Sequence, residues 1–172
     1  MAQFYIGVER KARRCYGFDE IALVPGSKTV NPAEADPSFV FAGTKYKIPI
    51  LASAMDGVVD VKFAQAMGKL GGIAVLNLEG VQTRYENPED VLDKIANATP
   101  DEATRLAQSI YAPPIKEELI SKRVSEIKKA NVPAIVSSIP QKAERFGKIA
   151  QEAGCDIFVV QSTVTTTKHV AK

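Results

Sequence analysis

Ile48-Pro49-Ile50-Leu51-Ala52-Ser53-Ala54-Met55 is the stretch on which the reading of the fold turns. It is almost continuously apolar, the pattern of a strand covered on both faces rather than one with a solvated side. Asp60 follows as an N-cap candidate. Val59, Phe63, Ala66, Met67 and Leu70 then share one helical face, and Gly71-Gly72 closes the helix.

The same unit repeats along the chain. Ile73-Ala74-Val75-Leu76 is a second buried strand. Asn87-Pro88-Glu89-Asp90 combines a cap, a proline at N1 and acids in the first turn, opening a short helix through Val91, Leu92 and Ile95. Thr99-Pro100-Asp101-Glu102 has capping-box spacing ahead of Leu106 and Ile110. Pro113-Pro114 breaks the chain, and a longer helix follows with Ile120, Val124 and Ile127 on one face. Val132 to Val136 reads as the third strand. Ser138-Ile139-Pro140 opens a helix carrying Ala143, Phe146, Ile149 and Ala150, which ends at Gly154. Cys155 to Val160 reads as the fourth strand.

Strands alternating with helices imply right-handed parallel βαβ units, in either an open doubly wound sheet or a closed barrel. Two features favour the barrel. No glycine-rich dinucleotide fingerprint or Walker-type lysine loop follows any strand. Polar residues mark the carboxyl end of each one: Ser53 and Asp56, then Asn77, then Ser137 and Ser138, then Gln161, Ser162 and Thr163. That is the face on which barrel enzymes build their sites. A full barrel takes about 250 residues, and four strands alone would leave two open edges. The expected architecture is α/β: the N-terminal half of a (β/α)8 TIM barrel, about four β/α units, over residues 48–172. Residues 1–47, with turn signals at Pro25-Gly26-Ser27, Asn31-Pro32 and Asp36-Pro37, are expected to form an irregular extension with short strands.

Composition narrows the function classes. Of 172 residues, 45% are hydrophobic and 24% charged, which suits one globular domain. No apolar run reaches membrane-spanning length, and Met1-Ala2-Gln3-Phe4-Tyr5 does not open a secretory signal; the expectation is a cytoplasmic protein with no membrane partner. Net charge is +2, and the one dense basic cluster, Arg10-Lys11-Ala12-Arg13-Arg14, reads as a solvated face rather than a nucleic-acid patch. Cys15 and Cys155 have no metal-ligand spacing and His169 is the sole histidine. Neither a zinc site nor a Ser-His-Asp triad can be assembled from this segment, so no metal is expected.

Several stretches, in order, resemble the IMP dehydrogenase/GMP reductase family. Tyr16-Gly17-Phe18-Asp19-Glu20-Ile21-Ala22-Leu23-Val24-Pro25-Gly26-Ser27 is similar to its N-terminal signature. Ile48 to Val59 is similar to its first barrel strand, Gly71 to Leu76 to its second, and Phe158-Val159-Val160-Gln161-Ser162-Thr163 to the end of its fourth. Asn77-Leu78-Glu79-Gly80, followed by Thr83-Arg84-Tyr85-Glu86, resembles a bacterial IMP dehydrogenase-related branch without CBS domains.

The resemblance implies a (β/α)8 barrel, a tetramer or octamer, acting at C2 of a purine nucleotide (GMP or IMP) through a covalent cysteine adduct. It further implies NADPH or NAD as cofactor and a monovalent cation bound outside this segment. By position it assigns Ser53, Met55 and Asn77 to the nucleotide and Gln161, Ser162 and Thr163 to the dinucleotide. The catalytic cysteine falls on a later loop, so no residue of this segment is assigned to catalysis.

Three positions depart from the family pattern. Gln161 stands where an Asp usually holds ribose hydroxyls, and Asn77-Leu78 replaces a His-His pair. The stretch from Asn77 to Asn131 is too short for a pair of CBS modules. That shortness and the neutral Gln161 lean towards GMP reductase over IMP dehydrogenase, with a catalytically silent nucleotide-binding homologue as the alternative from another class.

Overall fold

The computed structural model describes residues 4–6, 8 and 10–162; Thr163 and His169 lie outside them. The chain forms two compact units, residues 1–36 and 37–172. In the first, β1 (Phe4–Ile6) and β2 (Arg10–Ala12) pair antiparallel with Tyr5 opposite Lys11. Single 3-10 turns follow at Phe18–Glu20 and Pro32–Glu34. Arg14 lies 4.8 Å over the Tyr16 ring and 3.5 Å from Glu20, with both ion-pair partners exposed, as a solvated basic cluster should be.

The second unit opens with an antiparallel hairpin of β3 (Phe39–Phe41) and β4 (Thr44–Tyr46). Its two linking residues, Ala42 and Gly43, both have positive φ (49° and 78°), the backbone sense that matches strand twist in a two-residue turn. Parallel strands follow: β5 (Leu51–Ala52), β6 (Ile73–Ala74) and β7 (Leu76–Asn77) with Val75 between them, β8 (Ile135–Ser138) and β9 (Ile157–Val160). β5 pairs with β6, β7 with β8, and β8 with β9, all parallel. Each strand is added beside its predecessor. A doubly wound sheet would reverse its order at a switch point, and no reversal occurs among these strands.

The two faces of the strands bury different sets of side chains. Ala74, Leu76, Val136 and Phe158 pack against the helices. These are α1 (Val61–Leu70), α4 (Glu117–Lys128) and α5 (Pro140–Glu152). Ile73, Val75 and Ile135 form a separate cluster on the opposite side, closed by Tyr46 and Phe39 of the hairpin. The remaining helices, α2 (Pro88–Ala96) and α3 (Pro100–Tyr111), leave the sheet altogether. Val91 and Ile110 cluster with Val81 and Tyr85 of the segment after β7.

Local chemistry explains most boundaries. Asp60 accepts a bond from the Phe63 N–H at 2.6 Å, and Gly71 ends α1 with φ +86°, both as the sequence predicts. Thr99 and Glu102 meet through their side chains, with the hydroxyl donating to the carboxylate at 2.7 Å.

The third and fourth strands start later than their apolar runs. Pro133 has no N–H to give a ladder. The Ala134 N–H instead donates to the Asp156 carboxylate at 2.7 Å, while the Asp156 N–H donates to the Ala134 carbonyl at 2.9 Å. The apolar stripe expected on α1 is also rotated. Phe63 and Leu70 are exposed, whereas Ala64 is buried, and a Cβ on Gly68 would lie 2.6 Å from the Val132 Cβ. The helix approaches along its smallest residues, one turn apart, because backbones come closest there.

Candidate functional site

The carboxyl ends of the parallel strands carry the polar residues. Asn77 and Ser137 are register partners on β7 and β8, about 4.8 Å apart. Ser137 is fully buried, and its hydroxyl has no hydrogen-bond partner among the described residues. Asn77 turns its side-chain carbonyl onto its own loop, accepting from the Glu79 N–H at 2.9 Å. Glu79 carries the connection to the next strand: its carboxylate accepts from the Ser138 hydroxyl at 2.7 Å and from Lys142 in the first turn of α5 at 2.6 Å.

Ser53 stands exposed just beyond β5, and Met55 is 55% exposed two residues on. On the far side, the Gln161 N–H donates to the Ser138 carbonyl at 3.0 Å, and Ser162 is exposed. Thr163 lies outside the described residues. Ser53, Asn77, Ser137 and Gln161 thus follow one another from strand to strand. Three strand spacings separate Ser53 from Gln161 by roughly 14 Å across the sheet alone. That is too far for both to serve one small group and suits two ligands side by side, or one long one.

The loop after β5 has its own anchor. Asp56 Oδ2 accepts from the Val81 N–H at 2.9 Å and from the Tyr111 hydroxyl at 2.6 Å. Burial, and then the hydrogen bond and charge of Asp56, push the Tyr111 phenol well above its ordinary range, so it remains a proton donor. Arg84 lies 5.9 Å over the Tyr111 ring, donates to the Glu79 carbonyl at 3.0 and 3.3 Å, and also reaches the Pro113 carbonyl. The role of Tyr111 has no sequence signal, because 55 residues separate it from Asp56. The Glu79–Lys142 pair adjoins strand ends, but 63 residues separate its members and no local pattern pairs them.

Cys155 does not belong to this face. Cys15 is exposed in the first unit. Cys155 precedes β9 and sits at its amino end, roughly 20 Å from Ser162 by strand rise. Its thiol donates to the Ile157 carbonyl at 3.1 Å, and burial pushes its pKa up, the opposite of activation.

Comparison with known proteins adds four findings. Residues 15–172 match the family described as the IMP dehydrogenase/GMP reductase domain. An uncharacterized oxidoreductase of Mycolicibacterium smegmatis is 31% identical over 171 residues, covering 96% of this chain and 46% of that protein. An inosine-5'-monophosphate dehydrogenase of Methanocaldococcus jannaschii is 33% identical over 100 residues, which is 54% of this chain and 20% of that protein. Among solved structures, an IMP dehydrogenase/GMP reductase-like protein from Corynebacterium glutamicum superposes with a TM-score of 0.84 at 29% identity, covering 98% of this chain and 46% of that one. The chain thus spans about half the length of those curated relatives that cover nearly all of it.

Proposed function

The chain belongs to the IMP dehydrogenase/GMP reductase family, and on that premise we propose that it forms the first half of a (β/α)8 barrel and one wall of a site that oxidises or reduces a 6-oxopurine nucleotide at C2. The observation that carries this reading is the polar row at the carboxyl ends of four parallel strands added in sequence order. Ser53 and Met55 are the nucleotide contacts: a hydroxyl for ribose or phosphate and an exposed thioether to lie under the purine face. Asn77 joins them through its amide NH2, since its carbonyl is occupied by the Glu79 N–H. Ser137 lies beside Asn77 with an orphaned buried hydroxyl and extends the polar wall.

A nicotinamide dinucleotide fits the far end. Gln161 is half-buried, its backbone is fixed to β8 and its amide has no hydrogen-bond partner among the described residues; a neutral amide can bond ribose hydroxyls. Ser162 continues that wall, and Thr163 is proposed to do so. When bound, the dinucleotide supplies the redox chemistry that no side chain of this segment provides. The nucleophilic thiol, the phosphate grip and any monovalent cation site belong to the rest of the barrel: the family resemblance puts the cysteine on a later loop, and Cys155 lies at the opposite end of its strand. A cytoplasmic homo-oligomer, tetramer or octamer, completes the proposal.

The direction of the reaction favours IMP oxidation with NAD. The Methanocaldococcus jannaschii relative and similar proteins of Staphylococcus haemolyticus and Aquifex aeolicus are all inosine-5'-monophosphate dehydrogenases. The neutral Gln161 and the short β7–β8 connection are the observations that favour the second reading, GMP reduction with NADPH. Incubating the full-length protein with IMP and NAD, and separately with GMP and NADPH, tests both through absorbance at the reduced-nicotinamide band. A rise with the first pair supports the dehydrogenase and a fall with the second supports the reductase. Turnover of neither leaves a nucleotide-binding homologue without activity.

A further inference from the structure

Three segments of the second unit meet at the carboxylate of Asp56. Oδ2 holds the Val81 N–H, the first amide of the 3-10 turn Val81–Thr83, and the Tyr111 hydroxyl at the end of α3. Oδ1 is shielded from solvent, without a hydrogen-bond partner among the described residues. It lies over Gly80 so closely that a Cβ there would be 1.9 Å away. Asp56 adjoins Met55 in a loop closed by its own bonds: the Met55 N–H donates to the Ser53 carbonyl at 2.8 Å, and the Val58 and Val59 N–H groups both donate to the Met55 carbonyl at 2.9 Å. A segment closed this way moves as a unit, so whatever fixes Asp56 also fixes Ser53 and Met55.

Tyr111 reaches this point from helices that cover none of the sheet. α2 and α3 bury their apolar side chains against Val81 and Tyr85. Packing on the sheet therefore gives Tyr111 no reason to approach the β5 loop. Arg84 braces the tyrosine from the other side, over its ring and onto the carbonyls of Glu79 and Pro113. The arrangement aims a proton donor from a satellite helix at the residue next to Met55.

We propose that Asp56 and Tyr111 are positioning residues for the purine nucleotide, their hydrogen bond over Gly80 fixing the 53–59 loop so that Ser53 and Met55 meet the ligand in one orientation. The proposal rests on the reading of Ser53 and Met55 as nucleotide contacts. Neither Asp56 nor Tyr111 is assigned contact with substrate. The effect is confined to the nucleotide, because Gln161 and Ser162 stand three strands away and no hydrogen bond among the described residues joins them to Asp56.

The test uses the full-length protein with Tyr111→Phe, Asp56→Asn and Asp56→Ala. Removing the tyrosine hydroxyl is expected to raise KM and Kd for the nucleotide roughly tenfold, the scale of one charge-assisted hydrogen bond. KM for the dinucleotide and kcat should stay within about twofold of wild type by the same measure. Asp56→Asn keeps an acceptor for both donors and is expected to fall between wild type and Asp56→Ala. Amide hydrogen exchange should accelerate at residues 53–59 in Tyr111→Phe. Unchanged nucleotide affinity with unchanged exchange there overturns the proposal, and so does an equal loss for both substrates with a lowered Tm. Wild-type protein that neither binds nor turns over IMP or GMP overturns the functional reading instead. Exchange at residues 53–59 in Tyr111→Phe then still decides whether the Asp56–Tyr111 bond holds the loop.

Discussion

Gly80 and Cys155 show how much one side chain can decide. Gly80 has an ordinary φ of −93°, so its need for glycine is steric and not conformational. Gly80→Ala is expected to destabilise the protein by about 1–3 kcal/mol, the usual cost of overpacking, measured by urea denaturation; a neutral result would mean that Asp56 can move aside. Cys155 is held in its protonated form by burial. Alkylation mapped by mass spectrometry should therefore label the exposed Cys15 well before Cys155. The folded chain binds the Cys155 proton more tightly than the unfolded chain does. Its contribution to stability is thus complete below the ordinary thiol pKa, about 8.5, and is lost as pH rises towards the raised value. Cys155→Ala should flatten the decline of Tm above that pH, and an unchanged slope would count against the assignment.

Among the elements, α1 and the α2–α3 pair depart most from what periodicity suggests. Counting apolar residues at helical spacing selects Phe63 and Leu70, yet these are exposed while Ala64 and Gly68 make the close approach. A glycine inside a helix costs about 1 kcal/mol relative to alanine, so propensity alone favours Gly68→Ala. The stiff Val132 side chain, 2.6 Å from the added Cβ, outweighs that gain. The variant is expected to lose about 1–2 kcal/mol net, read from the midpoint of chemical denaturation. α2 and α3 were legible as helices from their prolines and first-turn acids. That they would pack on the segment after β7 and deliver Tyr111 to Asp56 was not, because nothing in a local pattern encodes a partner 55 residues away.

For the whole molecule, the open edges dominate. Among the described residues β5 pairs only with β6 and β9 only with β8, and Ile50, Leu51 and Val160 are exposed beside those edges. Expressed by itself, the 172-residue chain is expected to associate in a concentration-dependent way, since unpaired strand edges recruit other strands. Light scattering across a dilution series measures this. Val160→Lys should weaken the association by placing a charge on the β9 edge, whereas monodisperse wild-type chain at all concentrations would contradict the half-barrel proposal.

The order of elements, the parallel sense of the strands and the polar marking of their carboxyl ends were all legible along the chain. These follow from short-range rules: apolar runs, caps, and glycines that need positive φ, such as Gly71 and Gly154. Strand order without reversal, separation of the two faces, and the network from Tyr111 through Asp56 and Arg84 to Glu79 and Lys142 were decided only by the tertiary structure. They depend on which backbone groups come within hydrogen-bond distance after collapse. Apart from the five-residue Arg84–Glu79 link, such contacts span 25 to 63 residues of chain here, beyond the reach of any local pattern.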